Sequence, residues 1–456
     1  MAVDTAELVE RIWARDATLW TGADENRWLG WLDEPSRMQE RIPELESFAD
    51  SVRADGITDV VLAGMGGSSL APEVLRRTLG SERFHVLDTT HPDAVRALAQ
   101  RLDFARTLFL IASKSGTTLE TRCHMEYFWE TSGGRGDAFV AITDPGSALE
   151  SEARERGFRA VWSGEPTIGG RYSALSVFGM VPAALMGAEL DRLLARAQEM
   201  VDACRSEDSP GLQLGLALGT GWLEGRDKVV INPNPGGFGL WAEQLFAEST
   251  GKEGKGLIPA PDERGDGADR QEARPNVRNV SDLGSEWYRF EFATAVAGVV
   301  MEINPFDQPN VQEAKDRTTQ LLQGGQEPNL DPVGSVEDLL AQASTGDYFC
   351  IQAFVNPTAE AERRLASVRE RVAREADIVS TGGFGPRYLH STGQLHKGGP
   401  PSGLFLQVVD DPEELDIPDS PFGFRRLLRA QAAGDFDALR ERGRRVARIR
   451  WEELDT

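Results

Sequence analysis

Between residues 57 and 162, five apolar runs alternate with four helical patterns, and no other feature restricts the fold as strongly. The runs are ITDVVLAG (57–64), FHVLD (84–88), RTLFLIAS (106–113), DAFVAIT (137–143) and FRAVW (158–162). The helical stretches between them are 70–79, 92–102, 117–130 and 146–157. Runs that are apolar along their whole length are buried on both faces, which is the situation of strands in a parallel sheet covered by helices. The alternation resumes with strand 227–233 and helix 237–251, then strand 347–355, helix 359–375 and strand 403–409. The expected fold is therefore α/β, with two parallel-sheet modules in tandem over 46–190 and 191–456. A helical N-terminal arm (1–45) precedes them, and its Trp13, Trp20, Trp28 and Trp31 are expected to cover a core face. Stretches 174–205, 210–223, 287–302 and 308–324 read as helices. The polar segment 259–276 reads as a loop, and the chain is expected to end in a helical pair closing on RRVARIRW.

A formal charge of -24 disfavours phosphodiester backbones and anionic lipid as partners, so nucleic-acid and membrane binding are not expected. The three cysteines, Cys123, Cys204 and Cys350, are too few and too widely spaced for a disulfide framework or a zinc pattern. With no signal-like start and no long apolar run, a cytoplasmic location is expected. Of 49 cationic residues only six are lysines: Lys114, Lys228, Lys252, Lys255, Lys315 and Lys397. Where arginine is so favoured, a lysine marks positions that call for a compact ammonium.

Two strand–loop–helix junctions point to an anion. In VVLAGMGGSSLAP, Gly64, Gly66 and Gly67 permit close backbone approach, and Ser68 and Ser69 open a helix. Alone, this junction also suits a dinucleotide, with Asp88 ending the next strand where a ribose carboxylate would sit. The second junction, ASKSGTTLET, brings Ser113, Lys114, Ser115, Thr117, Thr118 and Thr121 together around Gly116 at another helix start. That many hydroxyls exceed what helix capping needs and make a compact monophosphate cradle.

S-K-S-G-T-T after a strand resembles the signature of sugar isomerase domains, tandem α/β modules that bind phosphosugars. GGRYSALS (169–176), EQLFAESTGKEGKG (243–256) and FDQPNVQEAK (306–315) resemble, in order, segments of the glucose-6-phosphate isomerase family. WARDATLW…WLGWL and FRRLLRAQAAGD look most similar to the isomerase half of bifunctional transaldolase/phosphoglucose isomerase chains. The resemblance implies reversible interconversion of glucose 6-phosphate and fructose 6-phosphate through an enediolate, with no metal and no cofactor, in a homodimer.

It also implies the site. Glu248, one turn from the end of a mostly apolar helix, matches the catalytic base, and Gln244 shares its face as a substrate contact. Arg171 matches the arginine facing the enediolate, Gln308 a substrate-binding glutamine and Lys315 a ring-opening lysine. Gly67, Ser68, Ser113, Lys114, Ser115, Thr117 and Thr118 are expected to bind the phosphosugar. The family's ring-opening histidine normally precedes the FDQPNVQEAK segment, yet no histidine lies between Glu248 and Lys315. T-G-Q-L-H resembles that histidine's segment displaced toward the C-terminus, which favours His396 over His390. A phosphomannose or dual-specificity isomerase and a non-catalytic phosphosugar sensor stay open as alternatives.

Overall fold

The computed structural model describes residues 4–324 and 327–454, with the side chains of 311–316 excepted. Among the described residues, all strand pairing within the sheets is parallel. The first sheet holds β1 (Asp59–Gly64), β2 (Phe84–Leu87), β3 (Thr107–Ala112), β4 (Phe139–Thr143) and β5 (Ala160–Ser163) in the order β2-β1-β3-β4-β5. Every residue of β1, β3 and β4 is buried, the double-faced burial that their unbroken apolar runs predict. The order reverses between β1 and β3. At such a switch point the two following loops diverge and leave a crevice beyond the carboxyl ends of the strands.

The second half carries two smaller sheets. One is β7-β6-β8, built from β6 (Lys228–Ile231), β7 (Ile258–Pro261) and β8 (Arg270–Glu272). The other is β10-β9-β11-β12, built from β9 (Tyr348–Phe354), β10 (Val379–Phe384), β11 (Gly403–Val409) and β12 (Arg445–Arg450). One apolar core extends from Leu8 in the arm to Phe306, and it takes in one face of the first sheet and the helix Asp282–Val300.

Several expectations need correction. The 259–276 segment contains β7 and β8 rather than a continuous loop. β7 reads IPAP, and its prolines are tolerated because it is an edge strand. The RVARIR run is a strand, β12, not the end of a helical pair. Its inward Arg448 is accommodated by donating from Nε to Gln407 Oε1 at 2.7 Å and by lying 3.9 Å over the Phe436 ring. The strand β10 passes unread because VSTGGF has glycines where a strand pattern would carry side chains. The arm is helical only at Thr5–Trp13 and from Glu34 onward, with short 3-10 turns between.

Candidate active site

The carboxyl ends of β1 and β3 deliver the two loops singled out by their glycines and hydroxyls to one cleft of about 680 Å³. After β1 the backbone turns tightly through Gly66–Ser68. Gly66 has φ +55°, and a Cβ on Gly67 would sit 2.0 Å from the Gly170 carbonyl oxygen. That approach lets the loop pack directly onto the 169–170 backbone, and Gly67 and Ser68 both line the cleft.

After β3, Gly116 turns at φ +70° and Thr118 precedes the helix Leu119–Thr131 without capping it through its side chain. At that helix start the dipole favours an anion. Lys114, Ser115 and Thr118 are on the cleft wall. Ser113 lies beneath them, its hydroxyl 2.9 Å from that of Thr118, and Thr117 holds Ser115 at 3.0 Å between hydroxyl oxygens. The Lys114 ammonium is ion-paired with Asp144 and donates to the Glu165 carbonyl at 3.1 Å.

Opposite the loops, the helix Phe238–Thr250 presents Gln244 and Glu248, one turn apart, to the cleft. Gln244 Nε2 donates to Glu248 Oε2 and to the His390 carbonyl, both at 2.9 Å. Arg171 Nη1 lies 3.2 Å from Glu248 Oε1 and donates to Gln308 Oε1 at 2.6 Å. Its other donors go to Ser249 Oγ (2.9 Å) and to the Pro305 and Asp307 carbonyls (3.0 and 2.8 Å). Arg171 is thus buried behind Glu248 rather than on the cleft wall, and it touches the cleft through Glu248 and Gln308. Gln308 itself is on the wall. Lys315 falls on the helix Val311–Gln323, and its side chain lies outside the described residues.

The histidine preference must be corrected. His396 is 1% exposed, packed against Tyr388 and Phe405, with Gln352 and Cys350 at its ring nitrogens. Burial holds its imidazolium well below the usual histidine range. It is a core residue. His390 is the one on the cleft wall, and its Nε2 lies 2.7 Å from Glu120 Oε1. Gln431 Nε2 donates to the same oxygen at 2.7 Å and accepts from Thr90 at 2.8 Å through its own Oε1. The carboxyl is therefore fixed before it meets the imidazole.

Two further residues escaped the sequence reading. Glu120 is hidden among the acids of a helix, and only its place in the first turn of the hydroxyl-loop helix could have marked it. Lys252 is one of the scarce lysines, which was a usable signal. Its ammonium, buried, donates to the Asn304 and Asp307 carbonyls at 2.6 and 2.7 Å and pairs with the Asp307 carboxylate. With Arg171 it clamps the 304–308 loop that carries Gln308. Burial, then the neighbouring Arg171 guanidinium, lower this lysine from 10.5 to about 8.

Residues 36–211 match the family model described as phosphoglucose isomerase. Over 266 residues the chain is 32% identical to the glucose-6-phosphate isomerase of Trichormus variabilis and 34% identical to that of Thermosynechococcus vestitus. Each alignment covers 50% of this chain and 50% of the relative, so the chain spans about half the length of the curated relatives it matches. The crystal structure of a glucose-6-phosphate isomerase from Chlamydia trachomatis superposes with a TM-score of 0.58 at 20% identity, covering 80% of this chain and 87% of that one. At that identity the likeness concerns the fold: parallel sheets flanked by helices. Among the described residues, no helix is long and apolar enough to cross a membrane.

Proposed function

We propose that the chain interconverts glucose 6-phosphate and fructose 6-phosphate. The observation that carries this reading is the convergence of Glu248 and His390 on one cleft with the Lys114–Thr118 cradle. An aldose–ketose isomerase needs a phosphate grip, a carboxylate to move one proton and a separate group to open the ring. Each has a residue in this cleft.

In this reading the phosphate sits on the hydroxyls of 113–118 at the start of the helix Leu119–Thr131. His390, held by Glu120, passes a proton between the ring oxygen and the C1 hydroxyl as the ring opens. Glu248 then removes the C2 proton to give the enediolate and returns it to C1, while a proton moves from the C2 oxygen to the C1 oxygen. Arg171 is a positioning residue: it aims Glu248 and supplies positive potential beside the developing oxyanion. His390 takes the role that the resemblance suggested for His396. It enters the cleft of its own chain, so this cleft does not need a partner's histidine. Lys315 remains a proposed contributor to ring opening. The cytoplasmic homodimer and the division at 46–190 and 191–456 belong to the same proposal.

The test is turnover. The purified chain is expected to convert glucose 6-phosphate and, when run in deuterated water, to place deuterium at C1 of the fructose 6-phosphate formed. Preferential turnover of mannose 6-phosphate would favour the phosphomannose alternative. Binding of phosphosugars without turnover of either aldose would overturn the enzymatic reading.

A further inference from the structure

The N-terminal arm also contributes to the cleft wall. Asp24 and Trp28 both line the cleft, half-buried, at either end of the short turn Glu25–Trp28. They lie outside the 36–211 segment matched by the family model.

The turn is held rigidly from both sides. Before it, the buried Trp20 donates its indole N–H to the Ala295 carbonyl at 2.9 Å and meets Phe306 edge-on at 5.3 Å. After it, the buried Trp31 stacks on Tyr172 with centroids 5.3 Å apart. Glu25, buried beneath the turn, accepts from the Thr21 N–H at 2.9 Å and the Thr21 hydroxyl at 2.5 Å. The Gly30 N–H donates to the Thr167 carbonyl at 3.1 Å. A ligand meeting this wall finds it already ordered, so little conformational entropy is lost on contact.

The chemistry of the wall is opposite to that of the cradle. Asp24 Oδ2 accepts from Trp28 Nε1 at 3.0 Å and Oδ1 from Asn304 Nδ2 at 3.3 Å. Among the described residues no cation is ion-paired with this carboxylate. Each oxygen keeps acceptor capacity on the cleft side, which suits hydroxyl donors and repels a phosphate. With its N–H committed to Asp24, Trp28 offers an apolar ring to the cleft. The cradle at 113–118 offers donors that suit the phosphate.

We propose that Asp24 and Trp28 are the sugar-recognition wall of this cleft. Asp24 accepts hydrogen bonds from sugar hydroxyls and Trp28 lies against a C–H face of the same sugar. The donor-rich and acceptor-rich ends together orient a phosphosugar along the cleft. The proposal rests on the reading of the cleft as a phosphosugar site, but it does not require turnover.

The experiment is calorimetric titration of the full chain with glucitol 6-phosphate, an acyclic sugar phosphate that has no carbonyl to isomerise, and with inorganic phosphate. Asp24→Ala and Trp28→Ala are expected to weaken glucitol 6-phosphate about tenfold or more and to change phosphate affinity by no more than about twofold. Trp28→Phe, which keeps a ring face, is expected to restore most of the loss caused by Trp28→Ala, and it serves as the test should that variant not fold. Parallel weakening of both ligands would show a merely structural arm and overturn the proposal. So would unchanged affinities, or a wild-type chain that does not bind glucitol 6-phosphate. Failure of the isomerase reading looks different: a wild-type chain that binds glucitol 6-phosphate and turns over no aldose phosphate.

Discussion

His390 Nε2 lies 2.7 Å from Glu120 Oε1, and this contact ties the 3-10 turn Arg387–His390 to the helix Leu119–Thr131 that follows the hydroxyl cradle. The imidazole therefore keeps a fixed position relative to the cradle, and one of its two nitrogens is committed to the carboxylate.

From that contact, His390→Gln is expected to slow isomerisation of glucose 6-phosphate by about a hundredfold or more. The loss should be much smaller on an aldose phosphate too short to close a ring. Steady-state kinetics with the two substrates measure the difference, and an equal loss on both would remove His390 from ring opening. His396→Gln should instead act on stability, lowering the midpoint of thermal unfolding by the cost of a disturbed buried polar group, about 1–3 kcal/mol.

For the proposed base, Glu248→Gln should reduce turnover by about a thousandfold, roughly 4 kcal/mol of barrier. Gln keeps the shape and an oxygen that can accept from Gln244, so glucitol 6-phosphate should bind within a few-fold of wild type. Near-normal turnover would refute the assignment.

Lys252 predicts a pH dependence of stability. In the fold it titrates near 8, and in the unfolded chain near its ordinary 10.5. Between those values the unfolded chain binds the extra proton, so this group's contribution to stability rises with pH and is lost as pH falls through about 8. Lys252→Met should remove that trend and flatten the unfolding midpoint against pH between about 8 and 10 relative to wild type. Parallel curves for the two proteins would contradict the lowered value.

Gly67→Ala tests the close approach of the two loops. Its Cβ would fall 2.0 Å from backbone at Gly170, which no side-chain rotation relieves. The expected cost is about 1–3 kcal/mol in thermal unfolding, with a raised KM for the phosphosugar as the loop is displaced. An unchanged KM would mean that the loop does not shape the ligand's seat.

The first sheet was legible because its strands are buried on both faces, and such burial writes itself as unbroken apolar runs. The missed strands break that rule for local reasons. β7 carries prolines at an edge, β10 carries glycines, and β12 buries Arg448 by pairing it with Gln407 and laying it on Phe436. In each case tertiary neighbours supply what the local pattern lacks. The tryptophans of the arm cover the core as their clustering predicts: Trp20 and Trp31 are buried in it, and Trp13 and Trp28 pack against it. Trp28 also reaches the cleft wall, which its sequence position does not show.

Residue types acting locally specify the α/β class and the two loops after β1 and β3: apolar runs demand a parallel sheet, glycines permit tight turns, and hydroxyls gather at a helix start. Glu248 as the proposed base is marked in the sequence only by the motif resemblance around it. Tertiary contacts bring His390 rather than His396 to the cleft, set Arg171 behind Glu248, and attach Glu120 and Lys252 to residues that line it. His390 ends the 3-10 turn Arg387–His390 and His396 lies on the short helix Gly393–Gly398, and their spacing in the sequence carries no information about which ring is drawn into the core. That choice comes from distant partners: Glu120, held by Gln431, receives His390, whereas Gln352 and Phe405 enclose His396.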